Sequence, residues 1–271
     1  MCGIAGGFGA IFTPSSVDSV LSDRVLFRRG PDETIVKVFD RGFFVMVRLA
    51  INGGALQATP FLDESSQRSC IFNGEIYNYK DLARTFGVAL DPSASDGQLI
   101  LPLYDRIGDR LFDLIDGPFA IAIYEQSSRR LILARDRFGE KPLYVYRRHN
   151  ELYFSSELSV FRTMGLAQKA DRDSIVDFLS FLWVPEPKTQ YEGVLSMDPG
   201  SVLEFDGQHL KKTWYIRETS FDEADSKSME FNFDESSIHV RDLIARSVRL
   251  RNDTSSSCGA FLSGGLDSSI V

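Results

Sequence analysis

Pairs of short apolar runs separated by turn residues constrain the fold of this chain more than any other feature. The paired runs are 119–124 with 131–134, 143–146 with 152–154, and 202–205 with 210–214. Such pairs predict antiparallel hairpins, with Ser127-Ser128 and Asp206-Gly207 as turn residues. Helical spacing at 99–107 precedes the first hairpin, and helical spacing at 175–182 separates the second hairpin from the third. The pattern therefore predicts an α+β layered domain that ends near Tyr215.

Further strands are predicted in the first third of the chain. Residues 2–8 are small and apolar and predict a buried strand, and 43–51 alternate with Arg48 on the other face. Cys70-Ile71-Phe72 predicts a short strand that enters an Asn73-Gly74 turn.

A different pattern begins after an acidic, polar stretch. Val240, Leu243, Ile244 and Val248 have helical spacing, 258–262 predicts a buried strand, and Ser263–Ser269 predicts a glycine loop that opens another helix. These pieces cannot bury a core by themselves. We therefore expect a first domain at 2–215, a linker at 216–236, and the truncated start of an α/β doubly wound domain at 237–271.

Composition excludes several classes of partner. The 38 acidic residues outnumber the 30 basic ones, giving a net charge of −8 without a basic run. Nucleic acid and anionic membrane surfaces are therefore not expected partners. Cys2, Cys70 and Cys258 are too far apart in sequence for a disulfide framework or a zinc motif. With neither a membrane-spanning run nor a signal peptide before Cys2, the expected location is the cytoplasm.

Cys2 is the first candidate for chemistry. Removal of Met1 would give one residue both a thiol and a free α-amine, which titrates near ~7.7–8.0 and serves as a base at neutral pH. His149, His209 and His239 accompany no motif, so the α-amine is a better candidate base than a histidine. The alternative is that Cys2 is simply a small buried residue at the start of a strand.

Other candidate residues also have two interpretations. Asn73 and the Gly74 N–H could donate to one oxyanion, or form an ordinary Asn-Gly turn. Arg48 could bind a carboxylate or be solvated, and Asp96 could hold an ammonium group or cap a helix. The Ser263–Ser269 loop favours phosphate binding at a helix N-terminus, although it lacks the Walker signature and could be a tight turn.

Taken together, these residues resemble class II, N-terminal-nucleophile glutamine amidotransferases. The motifs that carry the resemblance are Met1-Cys2-Gly3-Ile4, Arg29-Gly-Pro-Asp32, Arg48-Leu49-Ala50-Ile51, Asn73-Gly-Glu-Ile-Tyr-Asn78 and Ser95-Asp96. Later runs are similar to the asparagine synthetase branch: Arg135–Tyr144, Ser155-Ser-Glu-Leu158, Val184–Thr189, Tyr191-Glu-Gly193, Pro199-Gly200 and Phe261–Ser269. The resemblance covers essentially the whole chain.

The resemblance implies a four-layer αββα sandwich followed by an ATP-pyrophosphatase domain. It implies that Cys2 attacks the side-chain amide of L-glutamine, that Asn73 and Gly74 hold the oxyanion, and that Arg48 and Asp96 bind the α-carboxylate and the α-ammonium. The implied glutamine-binding set is Arg48, Leu49, Ala50, Ile51, Asn52, Asn73, Gly74, Glu75 and Asp96. The implied ATP-binding set is Leu262, Ser263, Gly264, Gly265, Asp267 and Ser268, with Mg²⁺ on the phosphates.

The implied activity is glutamine-hydrolysing asparagine synthesis, in which ammonia reaches an ATP-activated L-aspartate and yields asparagine, AMP and pyrophosphate. From this chain we expect glutaminase chemistry only. Two alternatives stay open: an amidotransferase of the same kind that acts on another carboxylate, and a catalytically silent truncated module. A homodimer also stays open. Arg28, Met46-Val47 and Gln98 depart from the family pattern, which affects pocket detail rather than the reaction class.

Overall fold

The structure is a computed structural model that describes residues 2–9, 14–21, 24–49, 61–63, 67–91, 95–216, 232–252 and 259–270. The chain divides into two compact units. The first ends at Ile216 and contains the sheets, whereas the second contains the last two helices.

The first unit alternates strands with short helices. Its strands are β1 (Gly3–Phe8), β2 (Glu33–Phe39), β3 (Gly42–Arg48), β4 (Phe61–Asp63), β5 (Arg68–Gly74), β6 (Phe119–Glu125), β7 (Arg130–Arg135), β8 (Tyr144–Arg148), β9 (Glu151–Ser155), β10 (Val194–Ser196), β11 (Ser201–Phe205) and β12 (Leu210–Trp214). Its helices are α1 (Pro14–Leu21), α2 (Tyr79–Thr85), α3 (Ile100–Ile107), α4 (Arg110–Leu114), α5 (Leu158–Thr163) and α6 (Arg172–Phe181), with 3₁₀ turns at Leu26–Arg29 and Asp96–Leu99.

The strands form two six-stranded antiparallel sheets. The first sheet has the order β10-β8-β9-β1-β3-β2, and the second has the order β12-β11-β7-β6-β5-β4. β1 is central in the first sheet, where Gly3 pairs with Val47 of β3 and Ala5 pairs with Ser155 of β9. β5 pairs with β6 along its whole length, ending at Gly74 opposite Phe119.

Three layers of buried side chains show how the elements stack. One cluster, which includes Ile4, Met46, Ile71 and Leu133, draws on both sheets and lies between them. A second cluster packs α2, α3 and α4 on the second sheet. A third packs α1 and α5 on the first sheet. The layer order is therefore helix, sheet, sheet, helix, and the predicted αββα sandwich is confirmed.

The three predicted hairpins are confirmed as β6–β7, β8–β9 and β11–β12. The predicted Asn73-Gly74 turn is wrong, because both residues lie inside β5. β6 continues opposite them and supplies partners as far as Gly74, so the ladder overrides the local turn preference.

The second unit contains α7 (Phe233–Arg251) and α8 (Leu266–Ile270), and neither helix contains a buried residue. The Asn232 side chain caps α7 by accepting from the Asp234 and Glu235 amides. The predicted buried strand at 258–262 is wrong over its described part, because 259–262 is exposed and irregular and no described strand pairs with it. Cys258 lies outside the described residues. No helix among the described residues is long and apolar enough to cross a membrane.

Candidate active site

Strand alternation places three of the predicted side chains, those of Cys2, Arg48 and Asn73, on the inward faces of the two sheets. Cys2 and Ile4 belong to the cluster between the sheets, as do Phe44 and Met46 of β3 and Ile71 of β5. Because side chains alternate along a strand, Arg48 follows Met46 and Asn73 follows Ile71 onto the same inward faces. Gly3 pairs with Val47, so Cys2 and Arg48 lie at the same end of the first sheet.

The Cys2 thiol is partly buried and has a defined neighbour. Its Sγ donates to the carbonyl oxygen of Leu49 at 3.9 Å. Burial is the largest influence on the thiol and raises its pKa, the negative charge of Glu75 acts in the same direction, and the positive charge of Arg48 opposes them. A thiol of this kind is protonated at neutral pH and needs a base before it can act as a nucleophile.

The side chain of Asn73 is unusual for the interior of a protein. The residue is fully buried, yet neither its Nδ2 nor its Oδ1 has a hydrogen-bond partner in the part of the chain that the structure describes. Buried amide groups are almost always paired, because an unpaired one loses its hydration without compensation. This amide can therefore donate to a group that enters from outside the protein.

Gly74 is held closely against the neighbouring strand. A Cβ at Gly74 would lie 2.1 Å from the carbonyl oxygen of Pro118, so only glycine fits. Glu75 N–H donates to that same oxygen at 3.0 Å. In an antiparallel ladder the amides alternate in direction, so the Gly74 N–H points away from β6. Asn73 Nδ2 and Gly74 N–H thus supply two donors at the end of β5.

Arg48 is held by the turn that precedes β2. Gly30 lies against its backbone, where a Cβ would be 2.3 Å from the Arg48 carbonyl carbon, and Asp32 N–H donates to the Arg48 carbonyl at 3.1 Å. The Arg48 residue is 7% exposed, and its Nη1 lies 3.7 Å from Glu33 Oε2. The Arg29-Gly-Pro-Asp32 motif therefore fixes a nearly buried cation at the end of β3.

Asp96 connects the second sheet to its helical layer. Its carboxylate accepts from the Ile76 amide at 2.7 Å and the Gly97 amide at 2.9 Å. Burial and the neighbouring negative charge of Glu75 raise the pKa of Asp96 to about 7. Asp96 does not occupy the predicted cap position, because Ser95 is the N-cap of the 3₁₀ turn and Asp96 is its first residue. The Ile76 bond instead ties Asp96 to the segment that follows β5.

The remaining predicted glutamine-binding residues have different outcomes. Leu49 lies beside the Cys2 thiol, and Glu75 directly follows Gly74 and acts electrostatically on both Cys2 and Asp96. Ala50, Ile51 and Asn52 lie outside the described residues.

The histidines of the first unit lie away from Cys2. His149 occupies the β8–β9 turn with φ 53°, next to the Phe8 end of β1, whereas Cys2 precedes the other end. His209 lies beside the β11–β12 turn, where its backbone amide donates to Asp206. Neither is placed to take a proton from the Cys2 thiol.

Asp136 is a supporting residue that the sequence analysis did not identify individually. The residue is 1% exposed, and its carboxylate accepts from the amides of Phe119, Phe138, Glu140 and Lys141 at 2.9–3.3 Å. Phe119 stands opposite Gly74, so Asp136 fixes the strand against which Gly74 packs. The motif Arg135–Tyr144 was the only signal for it in the sequence.

The predicted phosphate loop lies in the second unit. Ser263 Oγ and Ser268 Oγ are 2.8 Å apart, Gly265 N–H donates to Ser263 Oγ at 3.3 Å, and Gly264 has a φ of 79°. Hydroxyls and amides at the start of α8 are donors of the kind that a phosphate accepts, so the residues fit such a group. Among the described residues, no group of three or more His, Cys, Asp or Glu side chains is arranged to hold a metal ion.

Comparisons with known proteins match both parts of the chain. The family pattern of the glutamine amidotransferase domain matches residues 1–216, and that of asparagine synthase matches residues 239–271. The glutamine-hydrolysing asparagine synthetase 1 of Bacillus subtilis (strain 168) is 30% identical to this chain, with 100% of this chain and 43% of that protein aligned. A putative glutamine-hydrolysing asparagine synthetase of Methanocaldococcus jannaschii is 25% identical, with 100% of this chain and 56% of that protein aligned.

Solved structures share the fold of the first unit. The glutamine phosphoribosylpyrophosphate amidotransferase from B. subtilis superposes with a TM-score of 0.60 at 18% identity, covering 79% of this chain and 49% of that one. This likeness concerns the fold alone. The chain spans about half the length of the curated relatives it matches.

Proposed function

Because this chain belongs to the glutamine amidotransferase domain family, we propose that its first unit hydrolyses L-glutamine to L-glutamate and ammonia. The observation that carries the proposal is the fully buried amide of Asn73, which has no partner among the described residues. Strand alternation places it on the same inward layer as Cys2 and Arg48. A structural asparagine would have its amide paired, whereas one that serves a reaction intermediate has its donor available.

The proposed nucleophile is the Cys2 thiol after removal of Met1. Its proton passes to its own α-amine, and the sulfur attacks the side-chain amide carbon of glutamine. The α-ammonium then returns the proton to the leaving nitrogen, which departs as ammonia and leaves a γ-glutamyl thioester. Water, deprotonated by the α-amine, hydrolyses the thioester to glutamate and restores the thiol.

Asn73 Nδ2 and Gly74 N–H are the proposed donors to the oxyanion of both tetrahedral intermediates. Arg48 would pair with the substrate α-carboxylate, as a planar guanidinium suits two carboxylate oxygens. Asp96 in its ionised form would bind the α-ammonium. Glu75, beside both Gly74 and Asp96, adds negative charge at that end of the substrate.

The proposed role of the wider protein is asparagine synthesis, supported by the asparagine synthase match at 239–271 and by the names of the relatives. We propose domain limits of 2–215 for the glutaminase part, 216–236 for the linker and 237–271 for the start of the synthetase part. Leu262, Ser263, Gly264, Gly265, Asp267 and Ser268 would hold ATP phosphates, with Mg²⁺ as counter-ion. Aspartate is the proposed acceptor, and the cytoplasm is the proposed location.

The direct test is glutamate release from glutamine by the purified chain, confirmed by intact mass to begin at Cys2. Cys2→Ala is expected to abolish release. Cys70→Ala is the matched control, because the Cys70 thiol is fully buried in β5, and it should retain activity. Wild-type turnover by Cys2→Ala would contradict the proposal. With aspartate and ATP added, we expect glutamate but no asparagine from this chain.

A further inference from the structure

The turn that follows β9 makes an unusual contact with the strand that carries Cys2. Regular pairing of β1 with β9 ends at Ala5 opposite Ser155, whereas pairing with β3 continues to Gly3. One residue further along, Ser156 N–H donates to the Ile4 carbonyl at 2.8 Å. In return, Ile4 N–H donates to the hydroxyl oxygen of Ser156 at 3.3 Å.

The hydroxyl of Ser156 replaces a backbone group. In a regular antiparallel pair the two residues exchange both N–H···O bonds, so Ile4 N–H would donate to the Ser156 carbonyl. Here the chain leaves the sheet for α5, and the side-chain oxygen takes the position of that carbonyl. The strand therefore keeps a hydrogen bond on this side one residue beyond the end of β9.

Burial makes this bond hard to replace. Ile4 and Ser156 are both fully buried, so water cannot take over as acceptor if the hydroxyl is removed. An amide left without a partner in such a place loses its hydration without compensation. Ile4 is two residues from Cys2, and loss of the bond would leave only the Ser156 N–H bond to the Ile4 carbonyl to hold this side of the strand next to the nucleophile.

From this geometry we propose that Ser156 is a positioning residue for the nucleophile, fixing the Cys2 end of β1 through the Ile4 amide. This inference rests on the proposed glutaminase function. Ser156 acts on the placement of the Cys2 sulfur relative to the oxyanion donors Asn73 and Gly74. It does not act on Arg48 or Asp96, which are proposed to bind the α-groups of glutamine. Its removal should therefore lower kcat and leave KM nearly unchanged.

Ser155 provides a matched control. It is the adjacent residue, it is also fully buried, and its hydroxyl also accepts one backbone hydrogen bond, from Glu157 N–H at 3.0 Å. That bond lies within the turn and does not reach β1. Ser155→Ala and Ser156→Ala thus delete the same atom at neighbouring buried positions, and only the second deletion removes the acceptor of the Ile4 amide.

The experiment compares kcat and KM for glutamine hydrolysis in wild type, Ser156→Ala and Ser155→Ala, together with hydrogen exchange at the Ile4 amide. For Ser156→Ala we expect kcat to fall about 10-fold or more, with KM within about twofold of wild type. Ile4 exchange should become at least about 10-fold faster. Ser155→Ala should match wild type in kcat and in Ile4 exchange.

Equal kcat in all three proteins, or equal losses in the two variants, would overturn the proposal. If Ser156→Ala does not fold, Ser156→Cys retains the shape with a weak acceptor and must show the same loss of kcat. A wild-type chain without glutaminase activity would contradict the proposed function. In that case unchanged Ile4 exchange in Ser156→Ala would overturn the anchoring separately.

Discussion

Asn73 combines complete burial with an amide that has no partner among the residues that the structure describes, so its effects on stability and on catalysis should separate. Asn73→Ala should lower kcat by roughly 10²–10³-fold if the side chain holds the oxyanion. The free energy of unfolding should stay within about 1 kcal/mol of wild type, since no hydrogen bond is lost. Steady-state kinetics and urea unfolding measure the two effects.

Asn78 is the control for that prediction. Its Nδ2 donates to the Leu114 carbonyl at 2.9 Å and its Oδ1 accepts from the Asp116 amide at 3.0 Å. Asn78→Ala should therefore cost about 1–3 kcal/mol of stability, with a much smaller change in kcat. Wild-type kcat in Asn73→Ala would remove Asn73 from the mechanism.

Asp96 should make glutamine binding depend on pH. Burial and the Glu75 charge raise its pKa to about 7, and only the ionised form attracts the substrate ammonium. KM for glutamine should therefore fall as pH rises through about 7. Asp96→Asn should raise KM and flatten this dependence. A wild-type KM that is independent of pH over this range would contradict the assignment.

The same pKa predicts a pH-dependent stability. Between the ordinary value of 3.8 and about 7, the folded protein retains the Asp96 proton that the unfolded chain releases. The contribution of Asp96 to stability is therefore present below the lower value and lost as pH rises through the upper one. Urea unfolding should show Asp96→Asn gaining stability relative to wild type as pH rises from 3.8 to about 7, the two pKa values of Asp96. A stability difference between Asp96→Asn and wild type that stays constant over this pH range would contradict the prediction.

At the scale of elements, the turn that precedes β2 positions the end of β3. Gly30 has an extended φ of −167° that any residue can adopt, so only space excludes a side chain there. A Cβ would lie 2.3 Å from the Arg48 carbonyl carbon and 2.6 Å from the Leu49 nitrogen. Gly30→Ala should displace Arg48, raise KM for glutamine about 10-fold, and cost about 1–3 kcal/mol of stability.

Gly259→Ala is the control for that substitution, because a Cβ at Gly259 would lie more than 4 Å from the other described residues. Steady-state kinetics and thermal unfolding should show the raised KM and the loss of stability in Gly30→Ala and neither change in Gly259→Ala. Unchanged KM in Gly30→Ala would show that the turn does not control Arg48.

The hairpins were predictable because each depends on local alternation and an adjacent turn. The continuation of β5 through Asn73-Gly74 was not, because it depends on β6, whose first residues lie more than forty positions later in the sequence. The exposed apolar side of α6 was not predictable either. Its spacing is amphipathic, yet Leu179 is 74% exposed and Phe178 50% exposed, and Ser174 is the only residue of the helix that is buried.

The candidate site also combines features that were predictable from local sequence with features that were not. Cys2, Arg48 and Asn73 were identified through motifs, and alternation along the strands explains why they share one layer. The unpaired amide of Asn73 and the hydroxyl of Ser156 on Ile4 depend on contacts between distant segments. Such contacts leave no periodic signal in the sequence, so they could not be predicted from it.

At the scale of the whole molecule, stability is concentrated in the first unit. Its buried clusters lie between Ile4 and Phe205, and Tyr215 closes the unit by donating to the Arg135 carbonyl at 2.8 Å. α7 contains no buried residue. A chain ending at Ile216 should therefore unfold cooperatively and hydrolyse glutamine with kcat within about threefold of the longer chain. Loss of cooperative unfolding on shortening would contradict this.

The most direct test of the proposed mechanism is to identify the residue that carries the covalent intermediate. The wild-type chain, beginning at Cys2, is mixed with glutamine, quenched in acid during turnover, and its mass is measured intact and after peptide mapping. We predict a gain of one γ-glutamyl group on the peptide that begins with Cys2, absent from Cys2→Ala and present in Cys70→Ala. Turnover of glutamine with no adduct on Cys2, or with an adduct on another residue, would contradict the central claim.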